Sequence, residues 1–184
     1  MGVAGFAISY GLKGYGLFHE FRAAEILEEN GYRSCIVGDA AAVVYGSDLM
    51  ISDIHIAVTD EQIQDARTTL LSHGFLELPQ VDCFKVRGPT KDSSAGWPGF
   101  RLMHPTHSKL VNGAAVLLIP ASFWHLELNY KNYSSVTHIY PGSSCRFPDL
   151  LFYIDGEFHV FEEMALPSNP GLSSHRRPYR ARTR

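Results

Sequence analysis

Asp53 and His55 are one residue apart in the run Ser52-Asp53-Ile54-His55-Ile56-Ala57-Val58, so a carboxylate and an imidazole share one face of a β-strand. The same alternation sends Ile54 and Ile56 toward a core and is expected to point Asp53 and His55 together at a cleft or solvent. An imidazole beside a carboxylate is equipped for acid–base work near neutral pH. Two carboxylates there would chelate Mg²⁺, whereas one carboxylate and one imidazole favour Zn²⁺, Mn²⁺ or no metal at all. A second alternation, Phe123-Trp124-His125-Leu126-Glu127-Leu128-Asn129-Tyr130, would put His125 and Glu127 on one face of a later strand. His104 and His107 are spaced like ligands, but no second cluster accompanies them, and their expected role is structural.

The elements that must hold these residues are legible in the pattern. Residues 18–30 read as an amphipathic helix, with Phe21, Ala24, Ile26 and Leu27 on one side and Glu25, Glu28 and Glu29 on the other. Cys35 to Val37 form a β-prone stretch, Gly38 breaks it, and residues 40–45 favour a short helix. Residues 60–73 predict a second helix stopped by Gly74. Further strands are expected at 75–78, 83–86, 100–103, 115–119, 126–130 and 136–140. Residues 88–99 form the longest loop, with the character of a lid or binding loop and Trp97 as its anchor. Residues 149–163 fit a hairpin or a broken helix equally well.

The succession Val37-Gly38-Asp39-Ala40, then Tyr45-Gly46-Ser47, then Asp53-Ile54-His55, closing on His73-Gly74-Phe75, resembles the nucleotidyltransferase superfamily with the DNA-polymerase-beta-like fold, especially its minimal and fungal members. The resemblance covers about residues 26–75. It implies an α+β fold, a mixed β-sheet flanked by helices, with Asp53 as first metal ligand, His55 as second and Glu127 as third. Two departures matter. His55 stands where the family has a carboxylate, and the loop that offers Arg or Lys and Thr in the family reads Asp48-Leu49-Met50-Ile51-Ser52. Asp39 adds a further negative charge near the expected phosphate path. Nucleotidyl transfer relies on metal ions and cations to neutralise charge at phosphorus. Loss of one preorganised electrostatic group costs on the order of a hundredfold in rate.

Composition bounds the rest. A chain of 184 residues with 45% hydrophobic and 19% charged residues can bury a core without staples. The expected organisation is one domain over 1–166 and a Pro/Ser/Arg-rich tail over 167–184. A net charge of −3 argues against a nucleic-acid partner. Cys35, Cys83 and Cys145 are too few and scattered for a disulfide framework, which fits a reducing, cytoplasmic setting, and Cys35 is expected to serve packing. The sequence has neither a signal-peptide pattern nor a span long enough for a bilayer, so no membrane partner is expected.

These readings converge on an expectation: the scaffold is kept, nucleotidyl transfer is lost, and the cleft serves a hydrophobic small molecule. Gly38, Ser47, Leu49, Met50, Trp97, Trp124 and His125 would bind it, with Asp53, His55 and Glu127 as the chemical groups. No cofactor is expected. The work would be a metal-independent cyclisation or isomerisation in natural-product biosynthesis, driven by proximity and a few hydrogen bonds. One alternative is a nucleotidyltransferase using a nucleoside triphosphate with Mg²⁺ or Mn²⁺ on Asp53, His55 and Glu127. Another is a non-catalytic binding or regulatory partner that meets a protein through the arginine tail.

Overall fold

A computed structural model describes residues 21–49, 51, 53–80, 97–104, 115–141 and 144–156. The strand expected at 83–86, most of the loop at 88–99, Met50, His107 and the tail at 167–184 lie outside them.

Helix α1 (Arg22–Glu29) forms because its apolar residues fall on one stripe. Ala23, Ala24, Ile26 and Leu27 are buried, and Arg22 bridges to Glu25 and Glu29 on the outer side at 3.3 and 2.9 Å. Burying Ile26 and Leu27 contributes about 1.5–3 kcal/mol each, whereas the exposed ion pairs add little. The helix stops where the Asn30 side chain donates to the Ile26 carbonyl at 2.8 Å.

Strand β1 (Ser34–Val37) leads directly into α2 (Gly38–Val44), then come β2 (Ile54–Val58), α3 (Ile63–Ser72), β3 (Leu76–Leu78), β4 (Phe100–Met103) and β5 (Val116–Pro120). They build a five-stranded sheet in the order β1-β2-β5-β4-β3. Only β2 and β5 run parallel; the other three neighbouring pairs are antiparallel. A 3₁₀ turn (Ala121–Trp124), α4 (Tyr133–Val136) and a small ribbon of β6 (Thr137–Ile139) and β7 (Arg146–Pro148) follow. A last helix, α5, covers 150–156, so the described part of the 149–163 stretch is helical. The protein is α+β, a mixed sheet flanked by helices, as its sequence implies.

Both faces of the sheet are covered. Ile36, Ile54, Ile56, Val58, Leu102, Val116 and Leu118 pack against α1, α2 and α3. Cys35, Val37, Ala57, Leu117 and Ile119 pack against Trp97, Ala121, Trp124, Leu126, Leu128 and Val136. Two covered faces explain why the central strands are nearly continuous apolar runs. Tyr133 ties the second layer to the sheet edge: its hydroxyl accepts from the Ser34 amide at 3.0 Å and lies 2.6 Å from the Ser34 carbonyl and 2.9 Å from Glu28. Glu28 also pairs with Arg146, whose guanidinium stacks over the Tyr133 ring.

Two expectations are corrected. The segment expected as a strand at 126–130 has no ladder partner: Leu126 and Leu128 are buried and Glu127 is exposed, but His125 adopts φ 52° and turns the chain before any pairing begins. His55 faces neither cleft nor solvent. It is 7% exposed, because the second layer closes over the face that local alternation leaves open.

Candidate functional site

Strand register brings the site together. His55 on β2 pairs with Val37 on β1 and Leu117 on β5, and Leu117 pairs in turn with Arg101 on β4. Directly paired residues share a face, so Val37, His55, Leu117 and Arg101 form one row across four strands. Asp53, two residues before His55, stands at the end of the same face. Its Oδ1 accepts the Ala115 amide hydrogen at 2.9 Å, and its Oδ2 lies 3.8 Å from Arg101 Nε. The two side chains are only 15% and 20% exposed. At 3.8 Å the pair is an ion pair without a direct hydrogen bond.

Aromatic rings enclose the imidazole. The Trp97 ring lies 4.6 Å from His55 at 60°, and Trp124 lies 6.5 Å away. Against it lies Gly38, the first residue of α2 where the chain turns out of β1, at φ +64°. A Cβ there would come within 2.6 Å of His55 Nδ1. Gly38 therefore serves two demands at once, a left-handed backbone and room for the ring. Its carbonyl accepts from the Tyr153 hydroxyl of α5 at 3.3 Å, which brings the last helix to the same turn. Gly99, two residues after Trp97, is packed on β5: at φ +94° it lies so close to the Leu118 carbonyl that a Cβ would overlap it.

The residues expected to act together divide between two places. Asp53, His55, Gly38, Trp97 and Trp124 converge. Ser47 stays local, accepting from the Leu49 amide at 3.3 Å, and Leu49 is 49% exposed. Met50 lies outside the described residues. His125 and Glu127 line a different pocket of about 480 Å³ with Thr59, Asp60 and Ser122, beyond the carboxyl end of β2. Asp53 precedes the amino end of that strand, and five residues of strand put roughly 16 Å between the two ends.

The donor set can be compared with the requirements of a divalent ion carrying a triphosphate. The residues next to Asp53 and His55 are Ala115, just before β5, and Leu117 on it, and the next strand offers Arg101, a cation. Asp53 is itself engaged by an amide and a guanidinium. Such sites require several convergent oxygens, and these residues do not fit one. Among the described residues no three His, Cys, Asp or Glu side chains are grouped to hold a metal ion.

Arg101 is the member of this charged pair that the sequence alone did not single out. Phe100-Arg101-Leu102-Met103 was legible as a strand, and the burial of Leu102 in the helical layer requires Arg101 to face the other way. The missing information was strand order, which puts β4 one strand from β2. Cys35, another buried titratable group, has its thiol pushed up by burial, the behaviour of a packed side chain.

Among the described residues no helix is long and apolar enough to cross a membrane. The chain matches no protein-family model and no curated protein.

Proposed function

We propose that the protein keeps a nucleotidyltransferase-like scaffold and uses the Asp53–His55–Arg101 end of its sheet to bind an apolar small molecule and rearrange it without a metal, as a cyclase or isomerase of natural-product type. One observation supports this reading above the others: the row beside Asp53 and His55 is filled by Leu117 and Arg101, so the carboxylate is balanced by a guanidinium in apolar surroundings. A balanced pair of this kind can orient a carbonyl or enol and exchange a proton with it. It does not gather divalent cations around a polyphosphate.

In this reading Asp53 and Arg101, the partly exposed members, meet the polar group of the substrate. Ala115 N–H and Arg101 hold the Asp53 carboxylate in one orientation, so little reorganisation is needed during reaction. His55 and Trp97, both buried, pack behind the pair and keep its surroundings apolar. Folding a flexible chain into a reactive conformer supplies up to about 7–11 kcal/mol of barrier reduction through proximity alone.

The test is incubation of the purified protein with linear terpenoid and polyketide aldehydes and ketones, with products resolved by chiral chromatography. The expected result is an altered rate or stereochemistry for one class, lost in Asp53→Asn and insensitive to chelator. Unchanged products for every class, with AMP or GMP transfer to a small molecule instead, would establish the nucleotidyltransferase reading.

A further inference from the structure

We infer a second binding site at the opposite end of the sheet, in the crevice between 59–61 and 121–129, for a small zwitterion of the α-amino-acid class. β2 and β5 are the parallel pair, and the chain leaves their carboxyl ends toward opposite faces. From β2 it turns to α3 in the helical layer, and from β5 it enters the 3₁₀ turn in the other layer. Adjacent parallel strands with diverging exits leave a crevice outside their carboxyl ends, a general location for ligands. A pocket of about 480 Å³ lies there, within the size range of metabolite sites.

Asp60 fixes its floor. One carboxylate oxygen accepts the Ser122 amide hydrogen at 3.1 Å and the other accepts the Ser122 hydroxyl at 2.6 Å, which joins the two diverging exits. Asp60 is thereby occupied, but three charged residues of the lining are not. The side chains of Arg33, Glu61 and Glu127 have no hydrogen bond or ion pair among the described residues. Arg33 is held from behind, its amide donating to Gln62 at 3.1 Å and its carbonyl accepting from Thr59 at 3.3 Å. One guanidinium on a pinned backbone and two carboxylates in a single pocket complement a ligand that carries both signs. A ligand carboxylate would take the planar fork of Arg33, and an ammonium would lie between Glu61 and Glu127.

This site is independent of the Asp53 end, so either can fail without the other. The experiment is a ¹⁵N–¹H NMR titration of the full chain with each of the twenty free L-amino acids, up to the order of 10 mM. The expected result is shifts confined to 59–62 and 121–129 for at least one of them. Its N-acetyl and its carboxamide forms should each bind at least about tenfold more weakly, as should the free form to Arg33→Gln. No shifts with any of the twenty, or blocked forms binding as well as the free one, would overturn the inference.

Discussion

Gly38→Ala should cost about 2–5 kcal/mol of stability, and His55 should be the reason for much of it. The left-handed backbone at φ +64° accounts for about 1–2 kcal/mol once a Cβ is present. The rest is crowding: the new methyl would sit 2.6 Å from His55 Nδ1 and 3.2 Å from Cγ. The ring cannot retreat freely, because Trp97 lies 4.6 Å away on another side, so overpacking of about 1–3 kcal/mol is expected. Urea unfolding followed by circular dichroism measures the total, and tryptophan emission localises it, since the chain has only two tryptophans and both flank His55. In the double mutant Gly38→Ala/His55→Ala the crowding disappears while the backbone strain remains. The cycle should therefore show a favourable coupling of about 1–3 kcal/mol. A loss below about 0.5 kcal/mol for Gly38→Ala, or an additive cycle, would refute the packing of the imidazole on this turn.

Three further outcomes follow from the same structure. Tyr133→Phe removes the acceptor of the buried Ser34 amide and a partner of Glu28, and should lower unfolding free energy by about 1–3 kcal/mol in urea titration. Arg101→Leu leaves Asp53 without its cation and should destabilise the fold by about 1–3 kcal/mol at neutral pH, whereas Asp53→Asn/Arg101→Leu should recover part of that loss. Burial raises the Cys35 thiol above 9.0 and the Tyr45 and Tyr133 hydroxyls above 10.0. Each folded group then holds its proton more tightly than the unfolded chain does, so the stability is complete below these unfolded values and lost as pH rises past them. Thermal melts should fall steeply from about pH 9 upward, with a part of the tyrosinate absorbance appearing only on unfolding.

Local patterns in the sequence were enough for the helical layer and most strands. The stripe of Ala24, Ile26 and Leu27 specifies α1, and Phe100–Met103 and the core-facing Ile54 and Ile56 appear as the alternation requires. The misread features depend on contacts distant in sequence. His55 looked exposed because nothing near it in the chain says that Trp97 and Trp124 will close over it. Glu127 looked like a third ligand because an alternating run resembles a strand, yet alternation also arises when an extended segment lies on a core without pairing, as Leu126 and Leu128 do. Arg101 went unremarked because its nearness to Asp53 follows from β5 inserting between β2 and β4.

The charge balance at Asp53 is tested most directly by tryptophan emission during ligand titration, with calorimetry alongside. An apolar ketone or aldehyde should shift the emission of wild type and fail to do so in Asp53→Asn, while nucleoside triphosphates with Mg²⁺ or Mn²⁺ produce neither heat nor shift. Tight binding of a triphosphate that requires the divalent ion and disappears in Asp53→Asn would contradict it.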